Sequence, residues 1–345
     1  MKKYHLLSMF FTFCLLAAGN TNAATPYLVA SGGSLNILNT ETRILTGRND
    51  IAGTLTNDGA LIGGTDSAAF LDVGAVVNNN RFLALDTLFF VGKPGMRVLN
   101  NNPTGILVLL TFLDIYGGGN SIINNDGLIN IPYNEAGIDG YPEFTFMNTG
   151  IINNNGRFYV GSISNCMNGA NGKIINKGIF EIDVHGKLND ACPSYQQLSG
   201  QTIVNGEITS LNSIKIDGGT LSGNGNITGS SVTISPNVTI EPGTTLGTLT
   251  INNNLSLNNS SLVIEIGGRA PGQSDRLTVN GNVSLSGTLN VILANGFSPQ
   301  AGDSFDILTA TSVITEFTTV NLPELPSNLN WDLQYLGNRV VLSVI

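Results

Sequence analysis

The sequence predicts an all-β solenoid, a parallel β-helix, and three observations favour that fold class. Asn-rich turns recur at Asn57, Asn79, Asn101, Asn125 and Asn148, at intervals of 22 to 24 residues. A short segment rich in β-forming residues follows each turn, without helical periodicity. Only 11% of the residues are charged, as expected where successive coils stack like residues on like residues and repeated charges would repel.

Residues 1–23 have the pattern of a secretory signal peptide. Lys2 and Lys3 precede an apolar stretch, and small residues follow it. Cys14 lies inside the apolar stretch, without the small residues that precede a lipoprotein cysteine, so we expect no lipid anchor. The sequence therefore predicts export to the extracellular space or the cell surface, with the periplasm as the alternative.

Residues 24–218 form a first set of Asn- and Gly-rich repeats with a period of about 22, and the step from Asn154 to Asn176 repeats that spacing. Glycine and asparagine accept the backbone conformations that tight corners require. Asparagines that repeat at one corner can also stack into hydrogen-bonded amide ladders. The longest remaining apolar run, "ILVLLTFL" at 106–113, is too short to span a membrane and predicts a buried strand.

Residues 219–345 have the same repeat pattern, with longer coils. Asn226, Asn254 and Asn282 are 28 residues apart, and apolar and hydroxyl residues alternate after each one. A boundary near Gly218 and Gly219 therefore separates two repeat types within one predicted solenoid.

A solenoid exposes strand edges at its ends and needs a cap. The C-terminal "LNWDLQYLGNRVVLSVI" predicts a β-hairpin around Gly337 and Asn338. Its alternation places Trp331, Leu333 and Tyr335 on one face, so we expect the hairpin to fold over the last coil and bury the single tryptophan.

The predicted mature chain keeps two cysteines, Cys166 and Cys192, in a protein destined for an oxidising compartment. A bridge between them would close a loop of about 27 residues and stabilise the fold by roughly 3.5 kcal/mol. The alternative is two unpaired thiols, and mass spectrometry of the unreduced protein distinguishes the two states.

Charge excludes several classes of partner. Removal of the signal peptide leaves 13 basic residues against 24 acidic ones, with the basic residues scattered singly. Nucleic acids and anionic membrane surfaces require clustered basic residues, so neither is an expected partner.

One strand carries a candidate catalytic row. In "FEIDVHG", alternation predicts Phe180, Ile182 and Val184 inside and Glu181, Asp183 and His185 outside. Two carboxylates two residues apart on a strand lie about 7 Å apart, which an inverting glycosidase could use. The alternative, which we favour, is an ordinary solvated strand face.

Other charged residues form no recognisable site. Five aspartates recur at strand ends but lie in different coils and match no calcium motif: Asp72, Asp86, Asp114, Asp183 and Asp217. Arginines come singly, at Arg81, Arg97 and Arg157, without the acidic cluster of a polysaccharide lyase. In the loop "GGRAPGQSDRL", Arg269, Asp275 and Arg276 either contact a ligand or keep an insertion soluble. We predict no catalytic, cofactor or metal site.

Several short motifs in residues 219–345 occur in an order typical of one family: "LSGNGNITG", "ISPNVTIEPGTTLGTLTINNNLSL", "SDRLTVNGNVSLSGTLNVIL", "AGDSFDILTA" and the C-terminal hairpin. This region resembles the passenger domains of bacterial autotransporters. The resemblance implies a right-handed parallel β-helix displayed at, or released from, the cell surface. The sequence to Ile345 does not include the translocator barrel of that family.

The function predicted from these observations is that of a non-enzymatic structural or adhesive protein, which binds glycans or proteins along a rigid face. The alternative is a polysaccharide-degrading lyase or hydrolase on the same scaffold. A third hypothesis is a stand-alone relative of passenger domains without a role of its own.

Overall fold

A computed structural model describes residues 29–91, 95–116, 121–131, 137–140, 144–148, 151–154, 157–160, 173–190 and 194–345. Within these ranges all regular structure is β-strand, and strands of successive coils pair in parallel. The chain is thus a parallel β-solenoid, which confirms the predicted fold class. The predicted signal peptide, Cys166 and Cys192 lie outside the described residues.

The first half of the described chain contains strands of two lengths. They are β1 (Ser34–Ile37), β2 (Thr42–Ile51), β3 (Thr54–Asn57), β4 (Ala60–Leu71), β5 (Val76–Asn79), β6 (Phe82–Val91), β7 (Arg97–Asn101), β8 (Ile106–Tyr116), β9 (Ser121–Asn125), β10 (Leu128–Ile131), β11 (Gly137–Gly140), β12 (Phe144–Asn148), β13 (Ile151–Asn154), β14 (Arg157–Val160), β15 (Lys173–Asn176) and β16 (Ile179–Ile182).

The second half continues the coils and adds the C-terminal hairpin. Its strands are β17 (Lys187–Asp190), β18 (Ser194–Gln197), β19 (Gln201–Val204), β20 (Glu207–Ser210), β21 (Ser213–Ile216), β22 (Thr220–Gly223), β23 (Asn226–Thr228), β24 (Ser231–Ile234), β25 (Thr239–Pro242), β26 (Thr248–Asn252), β27 (Leu255–Ile266), β28 (Arg276–Leu293), β29 (Ser304–Val313), β30 (Thr319–Asn321), β31 (Trp331–Leu336) and β32 (Arg339–Val344).

One face of the solenoid is a 10-stranded parallel sheet, which we call the ladder sheet. It takes one strand from each successive coil, in the order β1-β3-β5-β7-β9-β12-β15-β18-β21-β24. The other strands wrap the remaining faces. Long strands turn a corner within their length, as the register shift between Ile62 and Ala68 of β4 shows.

The core follows from period-two alternation in the ladder sheet. Leu55, Val77, Leu99 and Ile123 occupy equivalent inward positions in four successive coils, and all are buried. Each such side chain stabilises the fold by roughly 1.5 to 3 kcal/mol relative to exposure. Glycine is required where coils approach closely: a Cβ at Gly105 would lie 2.4 Å from the backbone oxygen of Asn79.

Inward-facing asparagines at the C-terminal ends of β3, β5, β7 and β9 form a ladder of buried amides in the ladder sheet. Nδ2 of Asn57 donates to Oδ1 of Asn79 (2.9 Å), Nδ2 of Asn79 to Oδ1 of Asn101 (2.7 Å), and Nδ2 of Asn101 to Oδ1 of Asn125 (2.7 Å). All four side chains are fully buried. The predicted amide ladder is confirmed for these coils, and we call it the buried ladder.

The predicted spacing holds from Asn57 to Asn148 and is wrong after Asn148. Asn148 pairs in register with both Asn125 and Asn176, so the next coil is 28 residues long. Asn154 instead pairs with Ile131 and Ile182 on a different face. Asn154 and Asn176 are therefore separated by about the length of one coil, but they do not occupy equivalent positions in successive coils.

The 28-residue spacing of the second half holds for one step only. The backbone N–H of Asn282 donates to Oδ1 of Asn254 (2.8 Å), whereas Asn226 pairs with Thr250. Parallel pairing also continues across Gly218 and Gly219, through β18, β21 and β24. The two repeat types thus belong to one continuous stack.

The predicted C-terminal hairpin is confirmed. β31 and β32 pair antiparallel around Gly337 and Asn338, and β32 also pairs antiparallel with β29. Trp331, Leu333 and Tyr335 pack partly buried against the core. The indole N–H of Trp331 donates to the backbone oxygen of Pro323 (2.8 Å). The hairpin therefore covers the edge of β29, which the next coil would otherwise occupy.

We predict that Asn79→Ala lowers the free energy of unfolding by about 2 to 5 kcal/mol, because it removes one hydrogen bond from the buried Nδ2 of Asn57 and the ladder donor of the buried Oδ1 of Asn101. Asn78→Ala is the matched control: Asn78 is the adjacent, half-buried residue, and water can replace its contact, so we expect a loss below about 1 kcal/mol. Urea unfolding of both variants checks this. Equal losses would contradict a special role for the buried ladder.

Candidate functional site

The candidate site is the outer surface of the first five strands of the ladder sheet, which we call the ladder face. Alternation turns two positions of each strand outward, and these form two rows that run along the solenoid. None of the ten residues is charged, and all are exposed or half-buried. One row is Ser34, Thr54, Val76, Val98 and Ile122, and the other is Asn36, Thr56, Asn78, Asn100 and Asn124.

Three residues of the second row form an outer ladder. Nδ2 of Asn100 donates to Oδ1 of Asn78 (2.8 Å), and Nδ2 of Asn124 donates to Oδ1 of Asn100 (2.9 Å). These bonds point toward the N-terminal end of the solenoid, whereas those of the buried ladder point toward the C-terminal end. The two ladders, on opposite faces of the sheet, therefore run in opposite directions.

The outer ladder leaves hydrogen-bonding capacity for a ligand. A side-chain amide has two N–H donors and two acceptor lone pairs. Within the ladder, Asn100 uses one N–H and accepts one bond. Each ladder amide can therefore offer a further donor and a further acceptor, in an orientation that its neighbours fix.

A groove of about 410 Å³ lies at the other end of the ladder sheet. β24 is the last strand of that sheet, and the segment that follows it one coil later, 255–258, pairs with β28 instead. The two segments are joined at both ends, where Nδ2 of Asn253 donates to the oxygen of Gly229 (2.9 Å) and the N–H of Asn237 to the oxygen of Asn259 (2.8 Å). The lining combines hydroxyl and amide groups with aliphatic side chains and includes no charged residue.

A buried carboxylate fastens the loop that precedes β28. Asp275 is 2% exposed, and its two carboxylate oxygens accept the backbone N–H groups of Gly247 and Glu265, both at 2.8 Å. Burial raises the pKa of Asp275 to about 7, and the negative charges of Glu265 and Glu241 add to this effect. Burial, and then Glu265, also raise the pKa of Glu241. Asp275 thus joins two coils at an electrostatic cost.

The other predicted residues of that loop also make contacts within the chain. Nε of Arg269 lies 2.6 Å from Oδ1 of Asp303, and its guanidinium group lies over the ring of Phe297. Arg276 is exposed at the start of β28 and pairs with Thr248. The hypothesis that these charges only solubilise an insertion is wrong for Asp275, because its carboxylate is buried.

The predicted row of Glu181, Asp183 and His185 does not form. β16 ends at Ile182, and Oδ1 of Asp183 accepts the N–H of Val184 (2.6 Å). The N–H of Gly186 donates to the oxygen of Asp183, which closes a turn. Val184 is therefore 62% exposed instead of inward, and His185 lies in the turn.

Several of the recurring aspartates accept hydrogen bonds from nearby groups of the same chain. Asp72 accepts the N–H of Val73 (2.7 Å), and Asp217 accepts bonds from Ser235 and Gln196. Among the described residues, no group of three or more His, Cys, Asp or Glu side chains is arranged to hold a metal ion. The side chains of Asp114 and Arg157 lie outside the described set.

Arg97 is a buried arginine, which its single occurrence among scattered basic residues does not predict. It is fully buried, and its guanidinium group donates to the backbone oxygens of Leu71 (3.1 Å) and Gly95 (3.0 Å). Burial lowers the pKa of Arg97, and the charge of Asp72 opposes this effect. The sequence alternation does indicate that Arg97 faces inward, because Arg97 precedes the inward residues Leu99 and Asn101 by two and four positions.

No protein-family model matches the chain, and no curated protein is significantly similar to it. Across the described ranges, no helix has the length and apolarity needed to cross a membrane.

We predict that the protein is more stable at pH 5 than at pH 8. The pKa of Asp275 rises on folding from its usual 3.8 to about 7, so the folded state holds the proton more tightly, and stability falls as the pH rises through this window. The expected difference is about 2 to 3 kcal/mol, measured by urea unfolding at both pH values.

Asp275→Asn should reduce this pH dependence and also lower stability, because an amide has only one acceptor atom for the two N–H groups. Asp183→Asn, a substitution at a corner of another coil, is the control and should retain the pH dependence. An unchanged pH profile in Asp275→Asn would contradict the assignment.

Proposed function

We propose that the chain is an exported structural or adhesive protein that binds glycans or proteins along its ladder face. The observation that carries the proposal is the outer ladder of Asn78, Asn100 and Asn124, which lies beside the aliphatic residues Val76, Val98 and Ile122. A surface whose polar groups are already oriented loses less conformational entropy on binding than one with mobile side chains. Many shallow contacts along a rigid rod can then sum to useful affinity.

Export is part of the same proposal. The basic and apolar segments of residues 1–23 support a signal peptide. The passenger-like motifs of residues 219–345, in a parallel solenoid with a hairpin cap, support display or release at the cell surface as an autotransporter-like, right-handed β-helix. Cell fractionation with surface proteolysis tests this: we expect cleavage of the protein on intact cells or its presence in the medium. Confinement to the soluble periplasm would contradict it.

The glycan-degrading alternative depends on Glu181, Asp183 and His185 as a row on one strand face. β16 ends at Ile182 and His185 lies in the turn that follows, so the three residues do not share one strand face and the geometry gives that hypothesis no support. The adhesive function is the one that the observed surface favours.

We predict that the double substitution Val76→Lys and Val98→Lys weakens ligand binding at least about tenfold, because it places two charges on adjacent coils of an uncharged face. Binding is measured on an array of immobilised glycans and purified surface proteins. The matched control is Asn226→Lys with Thr250→Lys, which stacks the same two charges on another face. Equal losses, or no loss from the first variant, would contradict the proposal.

A further inference from the structure

The ladder face repeats along the solenoid axis with the period of one coil. Stacked parallel strands lie about 4.8 Å apart, so the five coils extend over roughly 20 Å. Each coil presents one residue from each row, and the two rows lie about 7 Å apart because their members are two residues apart on a strand. A ligand that uses the whole face must therefore repeat at nearly the same spacing.

The chemistry offered at each repeat is also regular. In the three coils that contain Asn78, Asn100 and Asn124, the amide row can supply one donor and one acceptor per coil. The companion positions Val76, Val98 and Ile122 supply an aliphatic strip. A hydroxyl group is a donor and an acceptor at once, so a polyhydroxylated ligand with an apolar ring face matches both rows.

An extended peptide along the axis does not match this period. Its residues repeat at about 3.3 Å, so it loses register with the coils within two or three residues. An extended hexose chain with equatorial linkages repeats once per ring, and a ring is longer than a peptide residue, so its repeat is closer to the spacing of stacked strands. The period therefore favours a linear glycan over a peptide.

The charge of the protein favours a neutral glycan over an anionic one. The ladder face has no charged side chain, and the whole chain carries a net charge of −9. An anionic polysaccharide would find no cation on this face and would be repelled by the protein as a whole. Charge complementarity therefore points to a neutral polymer.

We propose that the ladder face binds a neutral, extended, β-linked polysaccharide that lies parallel to the solenoid axis with about one sugar ring per coil. The proposal rests on the proposed adhesive function and names its ligand class. The amides of the outer ladder bind ring hydroxyls, and the aliphatic strip contacts the C–H face of the rings.

The test is a length series of soluble β-1,4-linked glucose and xylose oligosaccharides, from two to eight rings, measured by titration calorimetry. We expect affinity to rise with each ring up to about three and then to level off, because three coils carry both an outer-ladder amide and an aliphatic residue. α-1,4-linked glucose oligosaccharides, whose chain coils, and polygalacturonate, which is anionic, should bind at least about tenfold more weakly.

Two variants locate the binding. Val76→Lys with Val98→Lys should abolish the length dependence, and the control pair Asn226→Lys with Thr250→Lys should preserve it. Equal binding of the coiled or anionic glycans, or a length dependence unaffected by the face variant, would overturn the proposal.

The outcome also separates this proposal from the function on which it rests. If the face variant abolishes binding to proteins on the array while no neutral glycan binds, the ligand class is wrong and the adhesive function stands. If neither glycans nor proteins bind through this face, both proposals fail.

Discussion

Parallel stacking places each residue directly above its equivalent in the next coil, and this constraint decides which side chains the solenoid can use. A charge repeated at about 4.8 Å would repel its neighbours, and a single buried carboxylate such as Asp275 needs backbone N–H groups as partners. A primary amide is both donor and acceptor, so it can bind copies of itself without limit. The buried ladder of Asn57, Asn79, Asn101 and Asn125 uses this property inside the core.

The same residue type serves a second purpose one position earlier in the strand. Asn78, Asn100 and Asn124 form the outer ladder, which runs antiparallel to the buried one and orders the surface. The buried ladder fixes the register of the strands, and that register aligns the outer amides. Stability and the candidate binding surface thus depend on one repeated sequence element, the Asn-Asn pair that ends β5, β7 and β9.

Features with a local periodic signal could be predicted from the sequence, and those set by coil length or tertiary contact could not. The fold, the ladder and the hairpin cap follow from short repeated patterns. The 22-residue step from Asn154 to Asn176 is misleading because the coil that ends at Asn176 begins at Asn148 and is 28 residues long. Burial of Asp275 depends on backbone groups 10 and 28 residues away, which no spacing in the sequence indicates.

The most direct test of the ladder account is hydrogen exchange of the asparagine side-chain amides, followed by NMR on ¹⁵N-labelled protein. Both N–H groups of Asn79 are hydrogen-bonded in the core, so they should exchange only on opening of the coil stack. The amides of Asn78 and Asn100 should exchange much faster, because they lie on the half-buried outer row. Equally fast exchange of both sets would contradict the claim that the buried ladder holds the coils in register.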